Sequence, residues 1–220
     1  MATVPVPYIG GPAGQQTVLG HYAVAQTSGA IAATPTALDC HASIRWAPTL
    51  SNTFLVLMRI KLGWSVITAV ATAVQIAYQA QIARGFTVDF TTASTAINLS
   101  TTGKTNQMRG SMSQSQMGAN GPRICTTTVM SGQTATLDAA PFAITNWNAI
   151  YSSSATGTAT NLVAGSAGPM QTLYEWTGLG QHPVVLGNNE GVFVKITNTG
   201  WAGGTVSLYT QWEWAEVFAF

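Results

Sequence analysis

The run TVSLYTQWEWAEVFAF at the end of the sequence alternates from one residue to the next. Val206, Leu208, Trp212, Trp214 and Phe218 share one parity, and Ser207, Gln211 and Glu213 share the other. Alternate side chains of an extended chain point to opposite faces of a sheet, so the pattern predicts a half-buried β-strand with the even-numbered residues toward the core. The preceding run, GVFVKITN, puts Val192, Val194 and Ile196 on one face and Lys195 on the other. Gly200, Gly203 and Gly204 lie between the two runs and can supply the positive-φ conformations of a tight connection. Together the runs are expected to form a long antiparallel hairpin that closes a sheet. Glu216 shares the inward parity and needs a partner if it is buried, for which Arg45, Arg59 and Arg84 are candidates.

A chain of 220 residues is long enough for one β domain with a proper core. Charged residues make up only 7%, against about 25% in an average soluble protein, and Thr, Ser, Gln, Asn, Gly and Ala replace them. A weakly charged surface favours association, which suits a subunit of an assembly. The formal charge of +1 comes from scattered Lys and Arg and gives no basic stripe, so nucleic acid is not an expected partner. Cys40 and Cys125 lack CxxC spacing and are expected to be two buried, reduced thiols. The start, MATVPVPYIGGP, lacks the charged and apolar regions of a signal peptide, so synthesis in a cytosol is expected.

Along the chain, residues 1–20 carry Pro5, Pro7 and Pro12 among several glycines and read as an extended arm ahead of a single domain, 21–220. Strands are expected from His21 to Gly29, from Leu38 onward, and from Phe54 to Leu62. The last of these lacks polar alternation and reads as covered on both faces, with Arg59 and Lys61 pointing one way. From Leu62 to Ala83 there is no charged residue, long enough to cross a bilayer, but Gln75, Gln79 and Gln81 and the lack of flanking Lys/Arg clusters argue against a membrane span. Residues 75–84 are assigned to strand by the alternation of Ile76, Tyr78, Ala80 and Ile82, while 64–74 reads equally as helix or strand. A Thr-rich connection follows. Further strands are expected in RICTTTVM and, after a turn, in SGQTATLDAAPF. Residues 151–169 read as a low-complexity loop, and Leu173–Trp176 and Pro183–Leu186 as short elements.

Few residues point to a reaction. His21, His41 and His182 show no metal-binding spacing, and neither metal nor cofactor is expected. In a strand, Cys40 points away from both Asp39 and His41, so the triplet is not a nucleophile pair. Glu213 and Glu216 lie on opposite faces of one strand and cannot flank a glycosidic bond. Met108, Met112 and Met117 read as core filler or a pliable interface. Trp176, Trp201, Trp212, Trp214, Tyr174 and Tyr209 could make a sugar-stacking face, but the parity of Trp212 and Trp214 favours core or subunit interface for most of them.

Several stretches together resemble a family of tailed-bacteriophage virion structural proteins. They are GHYAVAQTSGAIAA, ASIRWAP, IARGFTVDFTTASTAINL with QMRGSM, RICTTTVMSGQTATLDAAPF, HPVVLGNNEGVFVKI and WEWAEVFAF, which span most of the chain from about Gly20. The resemblance implies an all-β fold, an antiparallel β-sandwich of jelly-roll-like form, and the role of a capsid cement or head-decoration protein. It implies a homo-oligomer, a trimer, whose partners are the major capsid protein or other virion proteins, located in the virion after synthesis in the host bacterial cytoplasm. No catalytic residue is carried over. Assembly contacts are placed on Pro5, Pro7 and Tyr8 of the arm and on Met108, Met112 and Met117. The alternative is a tail or fibre component with a carbohydrate-binding β-sandwich.

Overall fold

The structure is a computed structural model that describes residues 18–32, 34–68, 74–99, 114–150, 170–178, 182–197, 201 and 204–218. Its strands, in chain order, are β1 (Val18–Thr27), β2 (Cys40–Trp46), β3 (Phe54–Thr68), β4 (Val74–Val88), β5 (Ser94–Ala96) and β6 (Arg123–Cys125). They continue with β7 (Thr134–Leu137), β8 (Ala143–Ile150), β9 (Gln171–Glu175), β10 (Val184–Leu186), β11 (Glu190–Ile196) and β12 (Thr205–Val217). Every pairing is antiparallel. A five-stranded sheet runs β1-β12-β3-β10, with β9 also on β3, and a seven-stranded sheet runs β5-β6-β2-β11-β4-β7, with β8 also on β4. The two sheets pack face to face as an all-β sandwich, because each presents one apolar face that water disfavours.

The expected hairpin does not form. β11 is central in the seven-stranded sheet, between β2 and β4, whereas β12 is central in the five-stranded sheet, between β1 and β3. The connection therefore crosses from one sheet to the other, with Trp201 buried along it. The physical reason lies in burial: all of β11 from Gly191 to Ile196 is buried, on both parities, which a strand closing the margin of a sheet would not be. Gly191 fits this central place because a Cβ there would collide with the Ile44 carbonyl oxygen and lie 2.7 Å from Phe86 Cδ1. Gly191→Ala is expected to cost about 1–3 kcal/mol by overpacking. Denaturant unfolding checks it, and an unchanged midpoint would contradict the central position of β11.

The alternation in β12 holds through Trp214. Val206, Leu208, Trp212 and Trp214 are each at most 2% exposed and join the inter-sheet core. Phe218 departs from it, since the strand ends at Val217 and Phe218 is 45% exposed beyond it. Glu216 is buried as its parity requires, but none of the three arginines reaches it. Its Oε1 accepts from Ser115 Oγ at 2.5 Å and Trp214 Nε1 at 3.0 Å, and its Oε2 from the Gln116 amide at 2.8 Å. Three donors thus replace a counter-ion, which satisfies the carboxyl without burying a second charge.

In β3 both faces are covered only over Leu55–Leu57, after which a bulge reverses the parity and the outward side chains are partly exposed. Pairing passes from Glu213↔Arg59 to Trp214↔Leu57, leaving Met58 as an extra residue that reverses the parity. Leu55 and Leu57 face the core before it, Ile60, Leu62 and Trp64 after it. Val56, Ala215 and Val217 form a smaller cluster on the other face, with Phe54, Met58, Trp176 and Val185 against them. Residues 64–68 are strand and 75–84 lie within β4, while 69–73 fall outside the described residues. No helix among the described residues is long and apolar enough to cross a membrane.

Some boundaries differ from the expected ones. β1 begins at Val18, so the last residues assigned to the arm belong to the sheet, and the rest of the arm lies outside the described residues. RICTTTVM contributes only Arg123–Cys125, after which the chain bends and Met130 inserts into the core. β8, for which the sequence raised no expectation, borders β4 from Val74 to Ala80. Residues 151–169 lie outside the described residues.

Candidate interaction face of the five-stranded sheet

The outward parity of the five-stranded sheet lines up in rows fixed by register. One row runs Ala23, Glu213, Arg59, Glu175, the next Ala25, Gln211, Lys61, Thr172, and the third Thr27, Tyr209, Gly63. β1 contributes small side chains, so the polar groups of β12 and β3 stand clear beside it. A shallow groove lined by His21, Tyr22, Met58, Glu213 and Trp214 opens next to the Met58 bulge. In the first row the Arg59 guanidinium lies 2.5 Å from Glu213 and 3.4 Å from Glu175, and Gln211 Nε2 donates to Glu213 Oε1 at 2.7 Å. The hydrogen bond to Glu213 holds the Arg59 pKa above its ordinary value. The Lys61 ammonium has no hydrogen bond or ion pair among the described residues, and its side chain stands in the second row beside Gln211. In the third row the Tyr209 hydroxyl and Ser65 Oγ are 3.0 Å apart.

The inward faces hold different chemistry. Pairing of β11 with β2 passes from Val194↔Ala42 to Lys195↔Cys40, so His41 is the extra residue of a second bulge. The bulge turns His41 into the core, where Nδ1 lies 2.8 Å from the Tyr78 hydroxyl and the ring sits 6.3 Å from Trp201. Burial pushes its pKa down to about 4, so the imidazole is neutral at pH 7. Cys40 pairs with Lys195 across the β2–β11 register. Burial, then the neighbouring Cys125, pushes the Cys40 thiol well up, and burial pushes Cys125 up to about 12. Reactive cysteines need the opposite shift. Both thiols are free and buried. Alkylation is therefore expected only after unfolding, read by mass spectrometry with and without denaturant. Modification of the native protein would contradict this placement.

All seven carboxylates in the sequence are engaged in bonds that hold the fold. Asp39 accepts from the Thr36 amide, and Asp138 and Glu190 hold Arg84 between them. Asp89 receives the Phe90 amide and sits 2.8 Å from Arg123 Nε, an ion pair by distance although that N–H is not aimed along the contact. Glu175 and Glu213 hold Arg59, and Glu216 ties the 115–117 turn to β12. Glu213 and Glu216 do face opposite sides. Among the described residues no group of three His, Cys, Asp or Glu is placed to hold a metal.

The residues proposed from sequence for assembly divide. Met117 is 2% exposed in the core beside Leu99, so it is filler and not a contact. The reason is local: Ser115 and Gln116 bond Glu216, and this draws the following side chain inward. Pro5, Pro7, Tyr8, Met108 and Met112 lie outside the described residues. Trp201, Trp212 and Trp214 are core, while Tyr174, Trp176 and Tyr209 stay partly exposed. Sequence reasoning missed the outward rows because Arg59, Lys61, Gln211 and Glu213 meet only through strand register; their shared outward parity was the available signal. No protein-family model matches the chain, and no curated protein or solved structure matches it either.

Proposed function

We propose that the chain is a non-enzymatic structural subunit of a bacteriophage particle, of the capsid-cement or decoration kind, acting as a homo-oligomer on the major capsid protein. The observation that carries this reading is the use of the ionisable groups. All seven carboxylates serve as struts between strands, turns and arginines, and both thiols and one histidine are buried in unreactive forms. Such a molecule uses its few charges to hold a rigid shape, as a subunit in a symmetric contact needs. Neutral contacts are not screened by salt. Purified chain added to heads that lack it is therefore expected to be retained, saturably and equally at 0.1 M salt and at 1 M salt, where the Debye length is about three times shorter. Failure to sediment with the heads, or release by salt, would sink the proposal.

A second reading, a tail or fibre component that binds carbohydrate, is favoured by one observation. Tyr209 borders the polar rows on the outer face of the five-stranded sheet.

A further inference from the structure

We infer that this outer face is a binding site for a neutral oligosaccharide, with Tyr209 as its stacking platform and Gln211, Lys61, Arg59 and Glu175 as its hydrogen-bonding groups. This deepens the carbohydrate reading and does not depend on where in a particle the chain sits.

The platform follows from two contacts. Tyr209 stands on β12 directly opposite Gly63 of β3, yet its hydroxyl meets Ser65, two residues further along the neighbouring strand. To reach so short a side chain the phenol must lean along β3 toward Ser65, which fixes its direction. A Cβ on Gly63 would come within 3.1 Å of Met170 Cγ and 3.7 Å of Tyr209 Cβ, so Met170 packs over Gly63 beside the base of Tyr209. In this position Tyr209 stays partly exposed on the outer face. An aromatic held in this way offers an apolar plane to the C–H face of a pyranose at little entropic cost.

The polar rows supply the complement. Successive outward residues on a strand are about 6.7 Å apart, close to the width of one sugar ring, so a ring on Tyr209 brings its hydroxyls over Gln211 and Lys61. Gln211 donates to Glu213 and keeps its carbonyl oxygen as an acceptor. Lys61 brings ammonium donors with no partner among the described residues. Arg59 is fixed between Glu213 and Glu175, so the second N–H of each terminal nitrogen and the second oxygen of Glu175 are held in place before any ligand arrives, while its Nε is buried. Two cations and two anions make the patch neutral, which matches a hydroxyl-rich neutral ligand and disfavours a charged polymer. A protein partner would have to desolvate Lys61 and Glu175 at the middle of its interface, where charged groups are depleted.

The test uses the full chain on an array of neutral and acidic oligosaccharides, with each retained neutral oligosaccharide then titrated against variants. Wild type is expected to retain neutral glycans. Tyr209→Ala should weaken binding at least tenfold and Lys61→Ala several-fold, while Thr136→Ala on β7 of the other sheet should bind as wild type. Thermal melting of each variant shows that it is folded, and Tyr209→Phe, which keeps the ring, should retain most of the affinity if Tyr209→Ala unfolds. Retention of no neutral glycan, retention of acidic glycans only, or undiminished binding by Tyr209→Ala would overturn the inference. So would self-association lost in Tyr209→Ala without sugar binding, since that would make the face a subunit contact. Head binding is read in a separate assay, so failure here leaves the structural proposal to stand or fall alone.

Discussion

Trp212→Ala is expected to destabilise the protein by about 3–5 kcal/mol, while Gln211→Ala, one residue away, should cost less than about 1 kcal/mol. Trp212 is fully buried between the sheets, opposite Ile60 of β3 and Val24 of β1. Removing the indole takes away a large apolar contact and leaves a cavity that two central strands cannot close. Its Nε1 has no partner among the described residues, so no hydrogen bond is lost with it. Gln211 points outward and gives up one hydrogen bond to Glu213, an exchange that water largely makes good. Denaturant unfolding of the two variants measures the contrast. Equal losses, or a larger loss for Gln211→Ala, would mean that β12 does not have the register described.

Acid should unfold the protein partly through His41. Its folded pKa, about 4, lies below the ordinary 6.5, because a charged imidazole in the core would be unsolvated. A folded state that binds the proton less tightly than the unfolded chain keeps its full stability above pH 6.5. It loses stability as pH falls toward 4, by a total on the order of 3 kcal/mol from this one residue. Glu216 acts in the other direction. Burial raises its pKa above 4.5, so its contribution is greatest with the carboxyl protonated and is lost as pH rises through the folded value. Unfolding free energies measured from pH 7 to pH 4 should fall steeply in the wild type and much less in His41→Gln. Parallel slopes for the two proteins would place His41 in contact with solvent and contradict the bulge that turns it inward.

How much of this was legible in the sequence depends on the range of the interactions involved. The alternation of Val206 to Trp214, and of Ile76 to Ala80, is set by neighbours two residues apart, and both segments are strands with the predicted residues inside. The choice of partner strand is not local. Val192, Val194 and Ile196 would look the same in a hairpin with β12 as they do between β2 and β4. The bulges at Met58 and His41 are equally silent, because an extra residue shows only against the strand it pairs with. Glu216 announced its burial by parity but not its partners, since Ser115 and Gln116 lie about a hundred residues earlier and carry no charge. The candidate face has the same character. Its members are spread over three strands, and only register brings Tyr209, Gln211, Lys61 and Arg59 side by side.

The structural reading turns on where the molecule sits, and cryo-electron microscopy of the parent particle measures that directly. The expected map shows density for a two-sheet sandwich repeated at equivalent positions on the outside of the head lattice, in contact with the major capsid protein. Density for this chain confined to the tail or its fibres, or a particle that contains none of it, would contradict the account.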